Sequence, residues 1–204
     1  MQLAHILPIL VALPFSAFAE SDSLRIRPFV EYGINLAGTS KTECTQNGHD
    51  LIKTDNFSFN NNNSRSFIFG IEIDDIMAIS LNASINNATS KIHVSYFNTN
   101  STQKSTKLDT KFDIYLTRDS NFKPFVSLSA GYLNVGGTYE ASGALFGFGI
   151  GCKQYITDTI YVGANLIYDV STKMHADKVY GLDVEHATMR VSGFDVGLNA
   201  GSRF

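Results

Sequence analysis

Strict alternation of apolar and polar residues, repeated in segments of about ten residues, is the feature that most constrains the fold of this chain. The clearest segment, 66–74, divides into two sets that fall on opposite faces of a strand: Phe67, Phe69, Ile71 and Ile73, and Gly70, Glu72 and Asp74. A period of two is that of a β-strand, because successive side chains point to opposite faces. Helical periodicity is nearly absent after residue 19, so we predict an all-β protein.

Eight segments carry the pattern, and their length selects among β architectures. They are 25–36, 66–74, 77–87, 110–116, 124–135, 144–155, 159–170 and 194–204. Strands of roughly 10 residues match the length of tilted transmembrane strands better than the roughly 5–6 residues usual in globular proteins. In lipid every backbone N–H and C=O must be paired, so such a sheet has to close. We therefore predict an eight-stranded antiparallel transmembrane up-and-down β-barrel.

The connections between these segments alternate in length. Short connections are predicted at 74–76, 118–123 and 156–158, a middling one at 136–143, and long ones at 37–65, 88–107 and 171–187. Outer-membrane barrels join their strands by short periplasmic turns and longer external loops. The long connections, which are rich in Asn, Ser and Thr, are therefore predicted to be external loops.

The N-terminus is predicted to be a signal peptide, residues 1–19, followed by a single barrel domain, residues 20–204. The apolar run 6–19 contains two prolines and ends in Ala17-Phe18-Ala19, whose small residues match a secretory cleavage site. The run is too short to cross a bilayer as a helix, which needs about 20 apolar residues. The mature chain is thus expected to be exported.

Composition excludes several classes of function. Charged residues make up 17% of the chain, below the roughly 25% of soluble proteins, and the net charge is −3, so a nucleic-acid partner is not expected. The two cysteines, Cys44 and Cys152, lie far apart and lack CxxC spacing, and we expect both thiols to be free. The histidines show no metal-ligand spacing. No metal and no cofactor is predicted.

The polar face of the alternating segments predicts what fills the barrel. Eight strands enclose an interior just wide enough for side chains. The charged residues on polar-face positions are Glu31, Glu72, Lys111, Asp113, Lys153, Asp169, Asp195 and Arg203. Because buried charges must be paired, we predict a lumenal network of ion pairs. Gly147, Gly149 and Gly151 leave room for bulky lumenal side chains or for strand curvature. Alternatively, the charged face would be exposed to water, as in a soluble lipocalin-like carrier.

The residues of the second half resemble a known family. Pro124-Phe125-Val126, Ala130-Gly131-Tyr132-Leu133 and the run 148–155, FGIGCKQY, are similar to the opacity-type, OmpA-like outer-membrane β-barrel domain. The resemblance implies the lipid bilayer of the outer membrane as surroundings. It also implies a C-terminal signal read by the barrel-assembly machinery, on these residues: Phe194, Val196, Leu198 and Phe204.

Function is expected at the cell surface. The resemblance and the long external connections predict a structural or surface-exposed antigen or adhesin with a plugged lumen, whose loops meet host surface molecules. We predict no catalytic residue and no enzymatic activity. Two alternatives stay open: a small porin, and a lipid A-modifying hydrolase in which His186 and Thr188 would act beside Glu185.

Overall fold

The computed structural model describes residues 24–46, 49–59, 64–94, 97–118, 120–137, 139–179 and 182–204, and nearly all of them are in β-strands. The strands are β1 (Ile26–Gln46), β2 (His49–Phe59), β3 (Arg65–Ile73), β4 (Met77–Val94), β5 (Phe97–Tyr115), β6 (Phe122–Gly137), β7 (Tyr139–Tyr155), β8 (Ile160–Ser171), β9 (Met174–Val179) and β10 (Leu182–Arg203). Among the described residues, no helix is long and apolar enough to span a bilayer. The predicted signal peptide, residues 1–19, lies outside the described residues.

Eight strands form a closed antiparallel ring. The order is β1, β3, β4, β5, β6, β7, β8 and β10, and β10 pairs back onto β1 from Phe29↔Arg203 to Gln46↔Ala187. Each strand therefore has a hydrogen-bonded neighbour on both sides, as a sheet surrounded by lipid requires. The predicted eight-stranded up-and-down barrel is confirmed.

The two other strands extend this ring rather than adding to it. β1 pairs with β3 through residues 26–34 and with β2 through residues 38–46, so β2 and β3 form one descending strand that is interrupted between them. In the same way β9 continues β8, because β9 pairs with β7 and β10 beyond the last residues of β8. The strands of the ring are therefore longer than the eight segments predicted from the alternation.

The prediction of loops at 37–65, 88–107 and 171–187 is wrong for most of their residues, which lie in strands. β4 and β5, for example, stay in register from Met77↔Ile114 to Val94↔Phe97. Apolar alternation marks a strand only where one face meets lipid or a core and the other does not. Residues 86–91 of β4, NNATSK, are mostly polar, so this extension carries no such alternation in the sequence.

One end of the ring, here called the turn end, has short connections and both ends of the described chain. Asp74 and Asp75 turn β3 into β4 with φ angles of 50° and 56°, and the amide N of Ile76 donates to the carbonyl O of Ile73 at 3.0 Å. Positive φ at both central residues is what a type I′ turn needs, and Asp is among the residues that adopt it. The opposite end, here called the hairpin end, carries the strand extensions.

The outer surface of the ring carries an apolar belt. Its members are exposed large side chains on alternate positions, among them Val30, Tyr32, Ile34, Phe67, Phe69, Leu81, Ile85, Leu108, Leu128, Phe146, Phe148, Ile150, Leu166, Phe194, Val196 and Leu198. On β1 the exposed positions run from Ile26 to Leu36, which on a strand tilted by about 40° covers a height of about 25 Å, the thickness of the apolar band of transmembrane barrels. Ile73, predicted on the same face as Phe67 and Phe69, is instead buried at the turn end.

Candidate functional site

The inward face of the ring holds the charged side chains predicted for the lumen. Glu31, Glu72, Lys111, Asp113, Lys153 and Asp169 are buried, whereas Asp195 and Arg203 are partly buried. They form three groups along the barrel axis rather than one continuous network. Acids and bases are interleaved in each group, and most ion pairs join strands that are not neighbours in the ring.

The first group closes the turn end around the carboxylate of Glu72. Its Oε1 accepts from Lys123 Nζ at 3.1 Å and from Arg203 Nη1 at 2.8 Å, and its Oε2 accepts from the Tyr155 hydroxyl at 2.8 Å. Arg203 also lies over the Tyr155 ring, 4.1 Å from the centroid, and pairs with Asp75 at 3.0 Å. The Tyr115 hydroxyl also donates to Oε2, at 3.3 Å, so the buried carboxylate is satisfied by two cations and two hydroxyls.

The second group lies deeper in the barrel, around Glu31. Lys153 Nζ is 2.5 Å from Glu31 Oε1, and the Tyr161 hydroxyl donates to the same oxygen at 2.7 Å, while Asn199 Nδ2 donates to Oε2. The Lys153 ammonium also sits 4.4 Å from the centroid of the Phe29 ring and 4.7 Å from that of Tyr161. Both charges of this pair are almost fully buried, so each depends on the other.

A second pair adjoins this group on β5. Lys111 Nζ lies 3.1 Å from Asp113 Oδ1, and the Ser127 hydroxyl donates to the same carboxylate. The ammonium is 4.8 Å from the centroid of the Phe125 ring. Charged and aromatic side chains thus fill the cross-section of the barrel together.

The third group lies toward the hairpin end. Lys107 Nζ donates to Asp169 Oδ2 at 2.7 Å and lies 3.7 Å from Asp109 Oδ2. Asn82 Nδ2 donates to Asp109 Oδ1 at 2.8 Å. Asp195 does not join these pairs directly but lines a cavity beside Lys107 and Asp169.

That cavity has a volume of about 50 Å³. Its lining includes the charged residues Lys107, Asp169 and Asp195 and the apolar residues Leu133 and Leu145. A space of this size has room for a few water molecules.

Beyond the cavity the inward side chains become apolar. We call this set the outer cluster: Cys44, Leu133, Val135, Ala141, Leu145, Met174, Ala176, Ala187 and Met189. They come from β1, β6, β7, β9 and β10 and are at most a few per cent exposed. The strand extensions therefore enclose a hydrophobic core of their own.

Sequence reasoning missed several members of these groups. Lys107 and Lys123 were assigned to predicted connections, although each continues the inward period of its strand, set by Lys111 and Phe125 respectively. That spacing was the available signal. Asp75 could not be found in this way, because it reaches Arg203 and Lys123 only through the turn geometry.

Of the residues considered for catalysis, the structure describes the side chain of Thr188. The Thr188 hydroxyl lies 2.9 Å from the Thr45 hydroxyl, its neighbour across the sheet. The side chains of Glu185 and His186 lie outside the described part of the structure. Among the described residues, no group of three or more His, Cys, Asp or Glu side chains is arranged to hold a metal ion.

The cysteines are free thiols, as predicted. Cys152 is half-buried on β7. Cys44 was predicted in an external loop, but it lies on the extension of β1 with its side chain buried in the outer cluster. The polar neighbours of Cys44 in the sequence gave no alternation that would have marked this part of β1 as a strand.

The residues predicted to form the C-terminal assembly signal all lie on the outer face. Phe194, Val196, Leu198 and Phe204 are exposed, Phe204 most of all. The amide N of Phe204 donates to the carbonyl O of Pro28 at 2.9 Å, so the last residue is held against β1.

Comparison with known proteins identifies the fold. No protein-family model matches the chain. No curated protein matches it either. Among solved structures, the outer membrane protein AlkL in DMPC lipid bilayers is 15% identical, with a TM-score of 0.61 over 91% of this chain and 94% of AlkL.

Two further structures agree with this result. OprG from Pseudomonas aeruginosa is 13% identical, with a TM-score of 0.57 over 87% of this chain and 95% of OprG. Neisserial surface protein A is 9% identical, with a TM-score of 0.51 over 87% of this chain and 98% of that protein. The closed ring and its apolar belt agree with these structures, so the predicted resemblance and the outer-membrane location are confirmed. The chain has the fold of the small eight-stranded outer-membrane β-barrel proteins.

Proposed function

We propose that this protein is a plugged barrel whose function lies at the cell surface, where its strand extensions serve as a structural antigen or adhesin toward host surface molecules. The observation that carries the proposal is the change along the wall from an apolar outer face to polar extensions. On β4 Ile85 is exposed, and the strand continues through a mostly polar sequence to Val94, about 30 Å further along.

The filled interior supports the absence of transport. Charged side chains from opposite walls pair across the barrel, and the cavity of about 50 Å³ is small against any hydrated solute. The outer cluster adds an apolar layer between this cavity and the hairpin end of the barrel. A porin would need a continuous aqueous path instead.

Single-channel recording in planar bilayers tests the plug. We expect no regular conductance steps from the folded protein. Steady steps of uniform size that scale with salt concentration would show an open lumen and would support the porin alternative.

Shortening one hairpin tests the surface role. β4 and β5 are still paired at Asn87↔Lys104, so residues 88–103 can be replaced by an Asn-Gly turn without changing the register below. Bacteria that display the shortened barrel should adhere less to host cells than bacteria with the full chain at equal surface density. The other extensions can be shortened in the same way. The proposal is contradicted if none of these shortened barrels adheres less than the full chain.

The proposal includes no enzymatic activity. The Thr188 hydroxyl is engaged by Thr45, which supports a structural role for it. Loss of lipid A deacylation in a His186→Ala variant would contradict this part of the proposal.

The C-terminal residues are proposed to be the segment that the barrel-assembly machinery binds. Their outward side chains and the terminal Phe204 support this role. We expect Phe204→Ala to slow assembly in cells, measured as heat-modifiable protein after a pulse of synthesis, while the purified variant folds into detergent as the parent does. Equal assembly rates would contradict it.

A further inference from the structure

Three sulfur-bearing side chains lie in one row on the inward face of the strand extensions. Cys44 on β1 pairs directly with Met189 on β10, and Met189 pairs directly with Met174 on β9. All three are 1% exposed and belong to the outer cluster. The chain has only four methionines and two cysteines, so half of its sulfur-bearing residues meet in this row.

The register brings the three side chains within reach of a common point. Directly opposed residues on antiparallel strands have their Cβ atoms about 4.5–5.5 Å apart. Met189 stands between the other two, and its flexible thioether, like that of Met174, can turn toward the Cys44 sulfur. Because the wall of a closed barrel is curved, inward-pointing side chains on neighbouring strands lie closer together than they would on a flat sheet.

A glycine makes room for one of these thioethers. Gly143 on β7 faces Met174, and a Cβ added at Gly143 would lie 2.7 Å from Met174 Cγ and 3.5 Å from its Sδ. The Met174 thioether therefore lies over β7, on the edge of β9 away from Met189 and Cys44, and it has to turn back across β9 to reach the Cys44 sulfur. The other members of the outer cluster are apolar, and the next buried side chain along β1 is that of Thr42, which carries a hydroxyl.

We propose that Cys44, Met174 and Met189 form a binding site for a soft monovalent metal ion, Cu(I). Thiolate and thioether sulfur are the ligands that Cu(I) prefers, whereas hard cations prefer oxygen. On binding, the Cys44 thiol releases its proton to water and its sulfur bonds to the ion, with no change in oxidation state. The site goes beyond the surface role proposed above and does not depend on it.

The position of the row fits an ion taken from outside the cell. On β1 the exposed apolar positions end near Leu36, and Cys44 lies about 25 Å further along the strand. The row therefore lies beyond the bilayer, at the hairpin end of the barrel. An ion from the external medium would not have to cross the buried ion pairs near Glu31.

Anaerobic titration of the folded protein in detergent micelles tests the site, with Cu(I) supplied as its bicinchoninate complex. We expect the protein to take one Cu(I) per chain from this complex, and X-ray absorption to show copper bonded to sulfur only. Met174→Leu and Met189→Leu keep the side-chain volume. Each should weaken binding by at least the roughly 10–100-fold that outer partners of a metal site contribute, and Cys44→Ser should weaken it further.

Matched controls come from the chain itself. Met77 is buried at the turn end and Cys152 lies on β7 outside the outer cluster, so Met77→Leu and Cys152→Ser should leave the affinity unchanged. Heat-modifiable migration verifies that every variant is folded, and if Cys44→Ser does not fold, the two methionine variants still decide. The proposal fails if no Cu(I) is retained against bicinchoninate, if neither Met→Leu variant weakens binding, or if Cys152→Ser removes it.

Discussion

At the scale of single residues, the buried pair of Lys153 and Glu31 is tolerated because each charge has its partner on the opposite wall of the barrel. Lys153 and Glu31 come from β7 and β1, and each side chain is at most 2% exposed. Removing one partner of such a pair leaves a buried charge uncompensated, which costs more than the pair itself contributes. The aromatic rings of Phe29 and Tyr161 beside Lys153 cannot replace the carboxylate.

We expect Lys153→Met to lower the free energy of unfolding by about 3–5 kcal/mol, measured by reversible urea unfolding in detergent or lipid. Combining it with Glu31→Gln should restore part of the loss, because no unpaired charge then remains. As a control, Lys41→Met, at the exposed pair with Glu43, should change stability by less than about 1 kcal/mol. A Lys153→Met loss as small as that of the control would contradict the buried pair.

Asp75, in the turn outside the apolar belt, makes the turn end sensitive to acid. Burial raises the pKa of this carboxyl, but the hydrogen bond from Lys123 and the positive charges of Lys123 and Arg27 outweigh burial and hold the pKa below its ordinary value. A carboxyl with a lowered pKa in the folded state stabilises that state above the unfolded-state pKa of about 4, and loses this contribution as the pH falls.

Asp75→Asn should therefore destabilise the barrel at pH 7. The difference from the parent should shrink as the pH falls below about 4, where the unfolded-state carboxyl of the parent is protonated. Asn adopts positive φ as readily as Asp, so the turn is kept. Denaturant unfolding at a series of pH values measures this, and a difference that does not change with pH would show that charge plays no part.

At the scale of elements, the glycines of β7 set how closely the large lumenal side chains pack. A Cβ at Gly151 would lie 2.4 Å from Cζ of Phe125, and one at Gly147 would lie 2.3 Å from Asp169 Oδ1. Of the two explanations drawn from the sequence, room for lumenal side chains therefore accounts for these positions. Strand curvature is not needed to explain them.

Gly151→Ala should cost about 1–3 kcal/mol in unfolding free energy, because the Phe125 ring has to move in a packed interior. Gly136→Ala, on β6, is the matched control, since a Cβ there meets no atom within 4 Å. It should be neutral or slightly stabilising. Similar effects of the two substitutions would contradict the close packing of Phe125 against β7.

One physical reason explains which parts of the strands could be predicted from the sequence and which could not. Strand pairs such as β3 and β4 were found because lipid on one side and a packed lumen on the other impose alternation on their residues. The extension of β4 toward Val94 was missed because its polar residues show no such difference between faces. Likewise, the burial of Cys44 depends on residues of β9 and β10 that are distant in sequence.

At the scale of the whole molecule, the barrel is inverted relative to a soluble one. Its apolar side chains form the outer belt, and its charges are enclosed and paired. The same wall then continues beyond the belt, where it encloses the outer cluster. A soluble carrier with this surface would expose a continuous apolar band to water, which soluble monomers avoid.

The chain contains no tryptophan, so one introduced tryptophan reports its own surroundings without background. Phe146 and Leu145 are adjacent on β7 and therefore at nearly the same depth, but Phe146 is 46% exposed and Leu145 is 3% exposed beside the cavity. The decisive measurement is fluorescence quenching by lipids brominated on their acyl chains, for Phe146→Trp and Leu145→Trp in separate proteins. We predict strong quenching at residue 146 and weak quenching at residue 145; equal quenching, or stronger quenching at 145, would contradict the outward belt and the enclosed interior.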